Sequence, residues 1–260
     1  MSRDALHMTR DELNEIAAAG GVAVVPTGSL EQHGAHLPVG TDSLLAETVS
    51  RAAVSEAIEE EAEAVVFPAV WTGFSPHHVP LGGTVSVRKE TLLALLEDVC
   101  ISLFQTGFRY VLLVNGHGGN RPITSLVAGD LGTSRPDVAV GELSYVHLAA
   151  DIIAEVRVGE PGSAYHAGEV ETALMLHLFS ESVRMERARD DPTTPLTSYS
   201  GTDMFVGGPL GTRWTYDRLT DDGVRGEPTL ATAENGEALF EAIVAELADL
   251  IVEFAGLETA

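Results

Sequence analysis

Tyr110-Val-Leu-Leu-Val114, followed at once by Asn115-Gly-His117-Gly-Gly-Asn120, is the stretch on which the fold turns. A near-continuous apolar run of strand length, ended by a glycine-rich turn, reads as a strand buried on both faces. The same signature recurs at Gly21-Val-Ala-Val-Val-Pro26, at Ala64–Trp71 (bent or broken at Pro68) and at Val138-Ala-Val-Gly-Glu-Leu143. Between these runs lie helical patterns over 43–60, 88–106, 121–131, after His166, and from Ala233 to Phe254. Leu92, Leu95, Leu96, Val99 and Leu103 show the spacing most clearly. Strands alternating with helices predict an α/β fold with a mostly parallel sheet covered on both faces. With no linker in view, residues 1–260 form one domain. The stretch 181–225, rich in Arg, Asp, Pro, Thr and Gly, is expected to form long surface loops that frame a site or an interface.

Composition narrows the function classes. A chain of 260 residues with 45% hydrophobic residues has ample material for a core, which excludes a disordered protein. No apolar run approaches the roughly 18 residues of a membrane span, and the first residues lack a signal-peptide core, so a cytoplasmic protein is expected. Cys100 is the only cysteine, which excludes an intramolecular disulfide and a thiolate metal cluster. Thirty-nine acids against fifteen bases leave a net charge of −24, a field that repels nucleic acid. Lys89 is the single lysine. Acid excess with lysine nearly absent resembles the proteins of salt-accumulating halophiles, in which salt screens the self-repulsion.

In open α/β sheets, ligands gather beyond the carboxyl ends of the strands. The first strand is followed by Gly28-Ser-Leu-Glu31-Gln-His33-Gly-Ala-His36-Leu-Pro-Val-Gly-Thr-Asp42. Glu31 and His33 stand two apart, on one side of an extended backbone, and Gly34, Pro38 and Gly40 let Asp42 fold back. This donor set suits Zn²⁺, Mn²⁺ or Fe²⁺, although the spacing also fits a polar surface loop. The second loop holds His117 between glycines, which let a backbone approach a ligand closely, and it does not match a dinucleotide fingerprint. The third segment is Tyr165-His166-Ala-Gly-Glu169-Val-Glu171-Thr-Ala-Leu174-Met-Leu. If a helix begins near Ala167, Glu171 shares a stripe with Leu174, Met175 and Leu178, where a carboxylate needs a cation or a hydrogen-bonded partner. The pattern leaves open which of Glu169 and Glu171 turns inward.

In this order and spacing, GSLEQHGAHLPVGTD (28–42), NGHGGN (115–120) and HAGEVETA (166–173) resemble the creatininase family of metal-dependent amidohydrolases. Phe74-Ser-Pro-His-His78 with Gly83-Thr-Val85, and Gly223–Ala231, carry the resemblance across most of the chain. It implies a three-layer α/β/α sandwich, two divalent ions (Zn, Mn or Fe(II)) and a homo-oligomer, often a hexamer. Residue by residue, it implies that Glu31 and His117 bind one metal, His33 binds the other and Asp42 bridges both. It also implies that His166 assists proton transfer. Two departures stand out. Creatinine-hydrolysing members carry a metal-binding glutamate two residues after the histidine matching His117, where this chain has Gly119; Glu171 is the candidate replacement. The tryptophan that covers creatinine, just upstream of the His166 motif, is also missing.

The expected activity is hydrolysis of a non-peptide C–N bond in a small cyclic amide or formamide through a metal-bridging hydroxide, with His166 and Glu171 catalytic. His36, His78 and Tyr165 are the expected substrate contacts, His36 also bracing a ligand, while His177 is a core residue. Alternatives are a deformylase of a formylaminopyrimidine nucleotide, a peptidase trimming a cofactor-precursor peptide, and a metal-binding scaffold without turnover. The expected partner is a small-molecule substrate, with neither nucleic acid nor membrane.

Overall fold

β1 (Val22–Thr27), β2 (Ala64–Val66), β3 (Tyr110–Asn115) and β4 (Ala139–Ser144) form one parallel sheet in the order β2-β1-β3-β4. This is the architecture of the computed structural model, which describes residues 3–259. The two-residue period of the strands divides the apolar side chains between two cores. Val22, Val24, Leu112 and Val114 join the core packed against α2 (Thr41–Glu59), α6 (Glu169–Leu178) and α7 (Ala233–Ala255). Ala23, Val25, Val111 and Leu113 join the opposite core, under α1 (Arg10–Ala18), α3 (Lys89–Thr106) and α4 (Arg121–Ser134). The result is the α/β/α layering. α5 (Ala150–Val156) leads to a second small sheet, in which β5 (Ala164–His166) pairs antiparallel with β6 (Arg225–Gly226).

Element ends follow local chemistry. Thr9 and Glu12 close a capping box on α1, and α3 stops where Gly107 turns left-handed at φ 111°. The strand expected over 64–71 is cut short. Pro68 has no N–H, so β2 ends at Val66; the chain rejoins β1 at Val70, whose N–H donates to the Pro26 carbonyl. The helix expected near Ala167 starts at Glu169 instead, because Ala167 is left-handed (φ 50°) and Gly168 is extended. Residues 181–224 contain short 3-10 turns but no α-helix or strand among the described residues.

Strand order places the site. From β1 the chain crosses to β2 on one side, and from β3 it crosses to β4 on the other. The loops after β1 and β3 therefore diverge at the carboxyl edge and leave a crevice between them. The 28–42 and 115–120 segments both emerge there. Among the described residues, no helix is long and apolar enough to cross a membrane.

Candidate metal centre and its cavity

His33 Nδ1 lies 3.1 Å from the carbonyl oxygen of Glu31. A carbonyl only accepts, so Nδ1 carries a ring hydrogen, and Nε2 faces Asp42 Oδ1 at 3.1 Å, a place for a second proton or a metal ion. His117 repeats this with its nitrogens exchanged. Its Nε2 donates to the Phe74 carbonyl at 3.2 Å, which leaves Nδ1 3.1 Å from Glu31 Oε2 and 3.2 Å from Asp42 Oδ2. Lone pairs facing carboxylate oxygens at such distances repel unless a proton or a metal ion lies between them. His33 Nε2 and Asp42 Oδ2 are both buried without a hydrogen-bond partner. Burial alone would drive the proton from His33, but the charge of Asp42 outweighs it and pushes the ring up to about 10. At His117 the same contest, with Glu31 the leading charge, holds the ring well above its ordinary value.

Donor atoms converge in overlapping groups, each within 4.8 Å: Glu31, Asp42 and His117; His33, Asp42 and Glu171; Glu31, His33 and His166. Asp42 belongs to the first two and turns one oxygen toward each ring. Imidazole with carboxylate is the donor chemistry of Zn²⁺, Mn²⁺ and Fe²⁺, so the residues fit divalent ions.

A second layer fixes these groups. Ser29 Oγ donates to Glu31 Oε2 at 3.0 Å. The Gln32 amide donates to His78 Nδ1 (2.8 Å) and to the Gly223 carbonyl (3.1 Å), so His78 carries its hydrogen on Nε2, 3.1 Å from Glu31 Oε1. His166 Nε2 lies 2.8 Å from the Gln32 carbonyl, which leaves Nδ1 bare and 3.8 Å from Glu31 Oε1. Burial, reinforced by the charge of His33, keeps the pKa of His166 well below its ordinary value, so the ring is neutral.

Both acidic residues of α6 are buried, and their partners distinguish them. Glu169 accepts the backbone N–H groups of Val158 (2.5 Å) and Gly159 (2.9 Å), away from the metal donors. Among the described residues Glu171 accepts only the Ala167 N–H, at 2.6 Å through Oε2, and burial pushes its carboxyl up to about 7 against the pull of His33. Gly119 cannot carry a side chain on this backbone: a Cβ there would collide with His117 Nε2 and with the Phe74 carbonyl oxygen.

The cavity above these residues has a volume of about 650 Å³, within the range that encloses a small molecule. Glu31, Asp42, His117, His166, Glu171, His78 and Tyr165 all reach its wall. Buried His33 lies behind the wall, against Asp42. His36 does not reach the cavity, contrary to the expected substrate contact. It is 1% exposed, and its Nε2 lies 3.0 Å from Thr172 Oγ1 on α6. His177 stands half-buried against Phe240, outside the cavity. Sequence reasoning missed Gln32, Tyr216 and Ser75, whose Oγ lies 3.0 Å from His117 Nε2 and 2.6 Å from Ser29 Oγ. Gln32 sits inside the first motif between two ligand candidates, a position that could have flagged it. Tyr216, whose ring centroid is 4.0 Å from that of His78, comes from the unpatterned 181–225 stretch, where nothing marks it.

Comparisons with known proteins agree with this geometry. A family model described as creatininase (creatinine amidohydrolase) matches residues 6–251. The mycofactocin precursor peptide peptidase of Mycobacterium tuberculosis (strain ATCC 25618 / H37Rv) is 33% identical over 226 residues, covering 85% of this chain and 80% of that protein. The creatinine amidohydrolase of Pseudomonas putida is 30% identical over 256 residues, covering 92% and 91%. A solved structure described as creatininase with Mn superposes with a TM-score of 0.81 at 29% identity, covering 97% of this chain and 98% of that one. With the family model spanning nearly the whole chain and the fold shared throughout, this protein belongs to the creatininase family of metal-dependent hydrolases that act on C–N bonds.

Proposed function

We propose that the cavity holds two divalent ions, one on Glu31, His117 and Asp42 and the other on His33, Asp42 and Glu171. Around them the protein hydrolyses a non-peptide C–N bond in a small amide. The observation that carries this reading is Asp42, each of whose carboxylate oxygens faces a ring nitrogen whose opposite nitrogen is held as a donor by a backbone carbonyl. Divalent ions held there would acidify a bound water and polarise the amide carbonyl. Neutral His166 takes the proton on Nδ1, since Nε2 is occupied by the Gln32 carbonyl, and passes it to the leaving nitrogen. The departure at Gly119 and the missing tryptophan argue against creatinine and for a formamide or another cyclic amide. The 33% identity to a mycofactocin precursor peptide peptidase supports a second reading, a peptidase of a short precursor peptide.

Elemental analysis alongside an assay panel of creatinine, a formylaminopyrimidine nucleotide and short peptides tests these readings. Chelation should abolish turnover and Zn²⁺, Mn²⁺ or Fe²⁺ should restore it. Asp42→Ala should lose both ions, whereas His166→Ala should keep both and lose about 10²–10⁴-fold in kcat. Full turnover in metal-free protein, or two ions retained by Asp42→Ala, would refute the centre. A homo-oligomer is part of the proposal, supported by the exposed Leu196, Tyr199, Val206, Leu210 and Trp214 along one loop. Light scattering that gives a monomer mass would remove it.

A further inference from the structure

Arg225 occupies β6 directly across from His166 on β5. Its guanidinium lies over the Tyr165 ring, 4.8 Å from the centroid, and both residues line the cavity. Other half-buried arginines of the chain have evident partners. Arg3 pairs with Glu63 at 2.7 Å, Arg157 with Asp203 at 2.8 Å, and Arg51 with Asp4 and Glu47. Arg135 rests over Phe104 just past the end of α4, where the helix dipole favours a cation. Among the described residues, the Arg225 guanidinium has no carboxylate within 4.0 Å and no acceptor for its N–H groups. In a chain with 39 acids and 15 bases, composition works against such an outcome.

A guanidinium stays charged at any pH a protein experiences, and an unpaired cation that is partly withdrawn from water is costly. The Tyr165 ring covers one face of the group, so its planar edge of N–H donors remains available. That edge fits two oxygens of a phosphate or a carboxylate in parallel hydrogen bonds. Arg213 also lines the cavity and acts electrostatically on His77, which adds positive charge near the same space.

We propose that Arg225 is a specificity-determining residue, and that the substrate carries an anionic group, phosphate or carboxylate, gripped by this guanidinium while its C–N bond lies at Asp42. The proposal rests on the amide-hydrolase reading for the position of the scissile bond and adds the chemical class of the substrate.

Three probes of similar length separate the cases: N-formylethanolamine (neutral), N-formyl-β-alanine (carboxylate) and O-phospho-N-formylethanolamine (phosphate). Calorimetric titration of the metal-loaded protein at fixed ionic strength should show one or both anionic probes binding about 10-fold or more tighter than the neutral one. Whichever binds tighter identifies the group. Arg225→Gln should reduce that preference to less than about 3-fold, while Arg225→Lys should keep part of it. Equal binding of all three probes, absence of binding included, would overturn the proposal. So would a preference that survives Arg225→Gln, since the metal ions would then hold the anion. Formate release is read separately: an anion preference without release from any probe would sink the hydrolase reading and leave the anion subsite standing. Release without preference would do the reverse.

Discussion

A methyl group at position 119 would collide with the His117 ring and with the carbonyl that fixes it, so this backbone excludes the side chain that creatinine-hydrolysing relatives are expected to carry there. In the proposed two-ion centre Glu171 takes the place of that carboxylate, since it lies within one donor group with His33 and Asp42. Glu169, two residues away, is taken up by two backbone N–H groups. Glu171→Gln should therefore reduce the metal content from two equivalents to about one. Glu169→Gln should keep both ions and lose about 1–3 kcal/mol of stability as those N–H groups lose a charged acceptor. Mass spectrometry of metal content with denaturant titration checks both; the opposite selectivity would transfer the ligand role to Glu169. Cys100 shows the contrasting case, buried in the core with burial pushing its thiol up to about 12, an inert filler.

At the scale of elements, the side chains around the proposed metal centre lean on a turn far along the chain. Gly223 is left-handed at φ 92°, and a Cβ there would collide with Gln32 Oε1. Its carbonyl also accepts from the Gln32 amide that orients His78. Gly223→Ala should thus displace Gln32 and cost about 1–3 kcal/mol in overpacking. Because His166 leans on the Gln32 backbone, kcat should fall while the metal content holds. Gly82 is the control: it too is left-handed (φ 80°) but has open space around it, so Gly82→Ala should lose stability from backbone strain alone and keep its kcat. Equal kinetic behaviour of the two variants would dissociate this turn from the proton-handling residues.

For the whole molecule, a net charge of −24 is spread over 11,914 Å² of surface. Repulsion among those charges opposes the compact state, and molar salt shortens the screening length to about 3 Å, less than the spacing of surface charges. The melting temperature should rise between low salt and molar KCl. A flat or falling melting temperature would remove the halophilic reading. The same field slows the approach of an anionic substrate, so the association rate of the phosphate probe should rise with salt while that of the neutral probe stays constant.

Amino-acid order alone determined the alternation of buried strands and helices, because a two-residue or 3.6-residue apolar period is a local property of the chain. It also determined that Glu31, His33 and His117 stand in the loops after buried strands, where an α/β sheet collects ligands, with Asp42 at the start of the following helix. What only the tertiary structure decided is orientation. Which α6 carboxylate turns inward depended on Ala167 adopting a left-handed conformation and delaying the helix to Glu169, a change of two residues that no period predicts. That His36 meets Thr172 on α6, 136 residues away, rather than lining the cavity was likewise decided there. Arg225 meets the site only because β6 pairs with β5, and the 181–225 stretch that delivers it has no apolar period to read. Contacts between distant segments are set by the packing of the whole core, and a local pattern carries no record of them.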